Sequence, residues 1–405
     1  MGKNPLTPSF DQIISRDGTL SLKYDGILKM FGTNDVMPMW VADMDFAVPE
    51  GITKALQSRA NHPILGYSIA PDSLYEALVD WLLVKHQWQI KREWIVLTPG
   101  VVASLNLVVA ALTEENSAVI VQPPVYFPFY SAVTNQNRRL IANPLVLYKD
   151  DLGELQYQME MAQLENCAKD AKLLLLCSPH NPVGRVWQKD ELLKLLAIAK
   201  KHNLIVLADE IHADLVYSHA QHQVLSQLAM MSEEPTLVED SHRIITAVSP
   251  SKTFNIPGLG LSALIVPNEA HRKVIQSHID KMGVSVTNPF SLVAFEAAYR
   301  QGSDWLNALM AYLQDTCNEA IAFIHKYLPK ITVIRPQSTY LLWLDCRKLN
   351  LNDQALARFF IHEAKLGLSP GVIFGSGGEG FMRMNIGTPK ANVMAALIRL
   401  KCALA

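Results

Sequence analysis

Residues 173–210 read LLLLCSPHNPVGRVWQKDELLKLLAIAKKHNLIVLADE. Two runs in this stretch, Leu173–Cys177 and Leu204–Ala208, are apolar from end to end. They lack the polar alternation of a strand with one wet face, so each reads as a strand buried on both faces. Between them, Lys189–His202 opens on Asp190 and Glu191 and closes on Lys200, Lys201 and His202. That is the charge order the helix dipole favours. Strand, helix and strand in this sequence predict a parallel crossover unit.

The same grammar extends outward. Trp94–Leu97, Ala118–Val121, Ile244–Val248 and Ser262–Val266 are further short apolar runs, and a helix over Val102–Leu112 follows Pro99-Gly100. The expected class is α/β: a large domain with a mostly parallel, doubly wound sheet over 51–285. Beyond it the pattern changes to long helices (Phe290–Arg300, Asp304–Tyr327), strands at Thr332–Ile334 and Tyr340–Leu344, a helix over Asp353–Lys365 and a strand over Phe381–Ile386. This predicts a smaller α+β domain over 286–405. Loop-rich residues 1–50 are expected to pack with the small domain as an N-terminal segment.

Composition narrows the function. The chain has 405 residues, 49% apolar and 18% charged, enough to bury a large core and too apolar for disorder. Lys plus Arg is 36 against 38 Asp plus Glu, so no basic stripe for nucleic acid is implied. Cys167, Cys177, Cys317, Cys346 and Cys402 include no C-x-x-C pair and read as reduced thiols, pointing to the cytoplasm. No apolar signal-peptide core and no run of membrane-spanning length is apparent.

In an open α/β sheet, ligands bind beyond the carboxyl ends of the strands. Five strand ends here carry polar or aromatic groups: Thr98-Pro99-Gly100-Val101-Val102, Gln122-Pro123-Pro124-Val125-Tyr126, Ser178–Gly184, Asp209-Glu210-Ile211-His212 and Ser249-Pro250-Ser251-Lys252. Gly100 before a helix offers free N–H groups to a phosphate. Ser249 and Ser251 add hydroxyls, Tyr126 a flat ring, Asp209 a buried acid in need of a cation, and Lys252 an amine. An amine, an acid, an aromatic plate and a phosphate cradle suit pyridoxal 5′-phosphate.

On SPHNPVG at 178–184, DEIH at 209–212 and SPSKTFN at 249–255, the chain resembles the fold-type I pyridoxal-phosphate enzymes of the aspartate-aminotransferase superfamily. Within it, WVADMDF at 40–46, Gly66-Tyr67-Ser68 and SPHNPVGRVW at 178–187 are most similar to the bacterial MalY/PatB-type cystathionine β-lyases. The resemblance runs from about Trp40 to Pro389. It implies that Lys252 is the Schiff-base lysine and the base at Cα, and that Asp209 pairs with the pyridinium nitrogen. Asn181 and His212 then lie near the ring O3′, with His212 where aminotransferases usually carry tyrosine, and Tyr126 stacks on the ring. The N–H groups of Val101 and Val102, with Ser249 and Ser251, hold the phosphate. Arg383 grips the substrate α-carboxylate, and Tyr67 reaches the site of a neighbouring subunit in a homodimer. Gly260 stands where ordinary aminotransferases carry a phosphate-binding arginine, eight positions after the lysine.

Other readings compete. Asp209 suits a helix N-cap, and Asp209, Glu210 and His212 together suggest a metal site, though no further ligand has fitting spacing. Tyr126 and His212 also suit simple packing. Trp40, Asp43 and Tyr340 read equally as substrate-pocket walls or as core. GSGGEG at 375–380 precedes a strand, so it reads as a flexible loop and not as a dinucleotide fingerprint. The resemblance implies carbon–sulfur β-elimination on an amino-acid substrate such as cystathionine. Its nearest rival is an aminotransferase, and a more distant one a pyridoxal-phosphate-binding regulatory protein.

Overall fold

In the computed structural model, which describes residues 9–150, 153–232, 238 and 241–405, the apolar runs assemble into one seven-stranded sheet. Its strands are β1 (Ile95–Thr98), β2 (Ala118–Val121), β3 (Arg139–Ala142), β4 (Ala171–Cys177), β5 (Ile205–Asp209), β6 (Ile244–Val248) and β7 (Ser262–Ile265). They lie in the order β1-β7-β6-β5-β4-β2-β3. Only β7 runs against its neighbours β1 and β6; the other pairs are parallel. The sheet is therefore mostly parallel.

The run LLLLC works as a strand because successive side chains serve opposite faces. Leu174 and Leu176 join one core with Trp187, Leu192 and Leu195. Leu173, Leu175 and Cys177 join another with Leu105, Val108 and Phe129. Two apolar faces leave no room for polar alternation. The crossover helix after β4, Lys189–Lys201, starts in a capping box in which Glu191 accepts from the Gln188 backbone N–H at 2.9 Å. Its N-terminal anchor is reinforced by Arg185, which bonds Glu191 at 2.8 Å.

Helices α1 (Glu50–Asn61) and α2 (Asp72–His86) precede β1, and α3 (Val101–Leu112) follows it. The helix at Pro289–Gln301 packs across α1 and α2. A second sheet, antiparallel, holds β8 (Thr332–Ile334), β9 (Leu341–Asp345), β10 (Ser369–Pro370) and β11 (Phe381–Asn385) in the order β8-β9-β11-β10. The helix expected over Asp353–Lys365 is α-helical to Arg358 and then widens into a π turn over Phe359–Glu363.

Residues 37–46 bridge the second sheet and the turn after β6, where Lys252 and Asn255 meet Ala42 and Met44. Met37 and Pro38 pair with Leu366 and Gly367, and the Asn385 N–H donates to the Met39 carbonyl at 2.9 Å. The glycine-rich stretch at 375–380 is a loop of turns before β11, with Ser376, Gly377 and Glu379 exposed and Gly378 buried. A Cβ on Gly375 would lie 1.9 Å from the Tyr130 hydroxyl, so close approach excludes a side chain there.

Candidate active site

The strand ends converge as their residue types require. A cavity of about 220 Å³ is lined by Gly100, Val101 and Val102 at the start of α3, by Tyr126, by Asn181, by Asp209 and His212, and by Ser249, Ser251 and Lys252. Nine of the expected site residues thus share one hollow at the carboxyl ends of β1, β2, β4, β5 and β6.

Its electrostatics are unusual. Asp209 ends β5 and is 5% exposed. Among the described residues its Oδ1 accepts only from the Ile211 N–H, at 3.1 Å. Burial raises its pKa to about 7, against the pull of that N–H and of Lys252. Lys252 sits in the short turn Pro250–Thr253, and its Nζ donates to the Ala42 carbonyl at 2.7 Å. Burial brings the amine down to about 8; Asp43 and Asp209 oppose this, and Arg383 adds to it. An amine near neutrality is a nucleophile and a base, as Schiff-base chemistry needs. His212 is pushed down to about 3, by burial first and then by Lys252 and Arg383, so its ring is neutral. Its Nδ1 is buried without a hydrogen-bond partner.

Arg383 lies in the middle of β11, 4% exposed. It donates to Asn181 Oδ1 at 3.1 Å, to the Trp40 carbonyl at 2.9 Å and to Ser369 Oγ at 3.4 Å. Its Nε is buried and unpartnered, and no carboxylate pairs with it among the described residues. Burial lowers its pKa to about 10. A buried guanidinium with neutral partners and an unused donor suits an incoming carboxylate.

The expected phosphate cradle has a clear origin. Gly100 adopts φ +134°, which side chains rarely reach, and so turns β1 directly into α3. The first N–H groups of this 12-residue helix have no intrahelical acceptor and open on the cavity. Ser249 is partly committed: its Oγ donates to the Leu261 carbonyl at 2.8 Å and accepts from the Ser251 N–H at 3.2 Å. Gly260 also lines the cavity, with φ +46°, and a Cβ there would sit 3.3 Å from the Pro99 carbonyl. That left-handed, crowded turn has a physical reason to lack an arginine.

Four expected residues lie outside this lining: Arg383 meets it through Asn181, and three others stand differently. Tyr67 is fully exposed on the loop between α1 and α2, with Ile64, Leu65 and Ile69, and does not line the cavity of its own chain. Trp40 reaches Arg383 through its carbonyl, while its ring packs edge-on to Phe31 and its Nε1 donates to the Lys23 carbonyl. Tyr340 is buried and donates to the Ala42 carbonyl at 2.9 Å, sharing that acceptor with Lys252.

Sequence reading missed how the segment 40–46 is held. Asn255 takes φ +57° and clamps it, donating to the Met44 and Phe46 carbonyls and accepting from the Met44 N–H. Arg16 forks onto Asp43 and reaches Asp45, which also takes the fully buried Lys23 at 2.7 Å. Burial alone would raise the Asp45 pKa, but Lys23 and Arg16 hold it below its ordinary value. Asn255 lies within SPSKTFN and had that signal; Lys23 had none. Among the described residues no cluster of His, Cys, Asp and Glu can hold a metal, and Glu210 instead bonds His222 at 2.9 Å.

This fold and this cavity belong to a known group. The chain is a member of the aminotransferase class I and II family, whose model matches residues 34–400. Among curated relatives it is 40% identical to "Cystathionine beta-lyase PatB" of Bacillus subtilis strain 168, covering 98% of this chain and all of that protein. It is 33% identical to "Protein MalY" of Escherichia coli K12, covering 95% of each. Among solved structures, cystalysin of Treponema denticola, which contains a pyridoxal 5′-phosphate cofactor, superposes with a TM-score of 0.91 at 34% identity over 98% of both chains.

Proposed function

We propose that this chain is a pyridoxal-phosphate-dependent carbon–sulfur β-lyase that cleaves cystathionine and related cysteine S-conjugates. The observation that carries the cofactor is the unpaired, buried Asp209 carboxylate facing Lys252 and the start of α3 across one cavity. The donor set fits the group: a cationic ring nitrogen would satisfy Asp209, a phosphate the free N–H groups of Val101 and Val102, and a ring oxygen the unpartnered His212 Nδ1 or Asn181. The lyase choice is supported by the relatives, since one that is 40% identical over its whole length carries that name.

When bound, pyridoxal 5′-phosphate supplies the electron sink that makes the substrate Cα–H acidic. The chain's own groups do the rest. Arg383 holds the α-carboxylate in a bidentate pair and so fixes the Cα–H bond in orientation. Asp209 keeps a positive charge on the sink. Lys252, near-neutral by burial, takes the Cα proton. The Cβ–S bond then breaks with its electron pair on sulfur, which takes up a proton and leaves as the thiol. The remaining three-carbon enamine is hydrolysed by water to pyruvate and ammonia. Cystathionine plus water thus gives homocysteine, pyruvate and ammonia.

The working unit in this reading is a homodimer. Tyr67, exposed with Ile64, Leu65 and Ile69, gains cover and a function if it enters the cavity of a second copy. No described helix is long and apolar enough to cross a membrane, and a cytoplasmic location goes with the reduced thiols. Incubation of the purified protein with cystathionine, with homocysteine and pyruvate both quantified, tests the reading. Equal amounts of the two support it, and absence of free thiol overturns it.

A further inference from the structure

A second cavity, of about 900 Å³, opens between the end of α2 and the segment 213–232 and shares no lining residue with the first. His86, Asp214 and His222 all line it. Asp214 is the hub. Its Oδ1 accepts from His86 Nε2 at 2.9 Å and from Trp81 Nε1 at 3.2 Å, both on α2. Its Oδ2 accepts from Thr253 Oγ1 at 2.9 Å. The Asp214 and His86 side chains are 9% and 11% exposed, and Thr253 is fully buried.

Thr253 directly follows Lys252 in the four-residue turn Pro250–Thr253. Beyond it, Phe254 packs edge-on to Trp81 at 5.5 Å, and Asn255 clamps the segment 44–46. The Lys252 turn is thus gripped on its far side, from α2 through Asp214, and on its near side, from the segment that also offers the Ala42 carbonyl to Nζ. A buried carboxylate must be paired to stay charged. His86 supplies the cation, and around the pair stand Lys85, Glu210 and the His222 ring, 5.9 Å from the His86 ring. Burial favours neutral forms of both partners, yet their contact holds His86 above and Asp214 below their ordinary pKa values.

We propose that Asp214 is a positioning residue for Lys252: it fixes the lysine-bearing turn through Thr253, with His86 as its counter-ion and α2 as the frame. This rests on the reading of Lys252 as the cofactor-bearing lysine. A residue that only stabilised the fold would alter melting and leave the chemistry of Lys252 as it was. One that sets the lysine's position alters how firmly the lysine holds its cofactor.

Thr253→Val separates the two in the full-length holoprotein. It is close in volume and removes one hydrogen bond to a charged group, while Asp214 keeps Trp81 and His86. The expected result is loss of the visible cofactor band on buffer exchange about tenfold faster than in the wild type, the equivalent of one such bond. The pH midpoint of that band should also move by about half a unit or more. Thr253→Ser, which restores the hydroxyl, should return both to within about twofold of the wild type. Wild-type release and midpoint in Thr253→Val, or a Thr253→Ser variant equally impaired, would overturn the proposal. If Thr253→Val does not fold, His86→Gln, which keeps a donor to Asp214 without the charge, must shift release and midpoint in the same direction; no shift overturns the proposal. Wild-type protein with no cofactor on Lys252 would instead defeat the underlying assignment, so the two failures are distinct.

Discussion

Arg383→Met should separate activity from stability. The guanidinium is buried, and burial lowers its pKa from its ordinary value to about 10, so carrying the charge costs the fold roughly 3 kcal/mol at neutral pH. Methionine removes that cost but strands Asn181 Oδ1 and the Trp40 carbonyl, each worth about 1–3 kcal/mol when left unpaired. The contributions oppose each other, and the net change in stability should stay within about 2 kcal/mol. Substrate binding has no such offset. In its proposed role at the α-carboxylate, losing the Arg383 guanidinium should cost about 2–5 kcal/mol in transition-state stabilisation, a fall in kcat/KM of roughly 30- to several-thousand-fold. The assay is pyruvate formation against cystathionine concentration, alongside thermal melting. A thioether amine lacking the α-carboxylate serves as control, since the variant should bind it no worse than the wild type. A fall below about fivefold, or one that tracks a collapse in melting temperature, would refute the reasoning.

Other groups make separate predictions. Asp209 in the cofactor-free fold has its carboxyl raised to about 7 from 3.8, so between roughly pH 4 and 7 the folded state holds the extra proton and stability falls as pH rises. Cofactor-free Asp209→Asn should therefore melt higher than the wild type at pH 8, by up to about 4 kcal/mol of stability, and differ little at pH 4, while its holo form loses turnover; equal melting at pH 8 would contradict this. Borohydride reduction followed by peptide mapping should fix the cofactor on Lys252, and a label on another lysine would sink that assignment. Mixing inactive Tyr67→Ala and Lys252→Ala chains should restore activity through hybrid dimers, whereas verified hybrids without activity would argue against a shared site.

Legibility in the sequence follows burial. β4 and β5 are readable because both faces meet apolar cores, leaving runs such as LLLLC without polar breaks. β3, Arg139–Ala142, is a sheet edge with no fully buried residue, so its four residues carry no comparable signal. The hairpin Val146–Lys149 with Leu155–Gln158 is likewise half exposed. Helix α1 buries only Ile52 completely, too little to mark an apolar face. At the site, side chains at strand ends are legible: Lys252, Asp209, Asn181 and Tyr126 meet in one cavity because four strands deliver them to the same edge. Backbone acceptors are not. The Ala42 carbonyl, shared by Lys252 and Tyr340, leaves no mark on residue type, and Trp40 meets Arg383 through a carbonyl that any residue would offer. The hub at Asp214 joins positions 81, 86, 214 and 253, too far apart in sequence to form a motif.

The family contains both transaminases and lyases, and the two share every step through removal of the Cα proton. The decisive measurement is the number of pyruvate molecules formed from cystathionine per active site with no keto acid present. Sustained turnover, with homocysteine and ammonia in equal amount and no stimulation by added keto acid, is the predicted result. A single turnover that stalls until a keto acid is supplied, with the matching amino acid then appearing, would contradict the account and make the protein an aminotransferase.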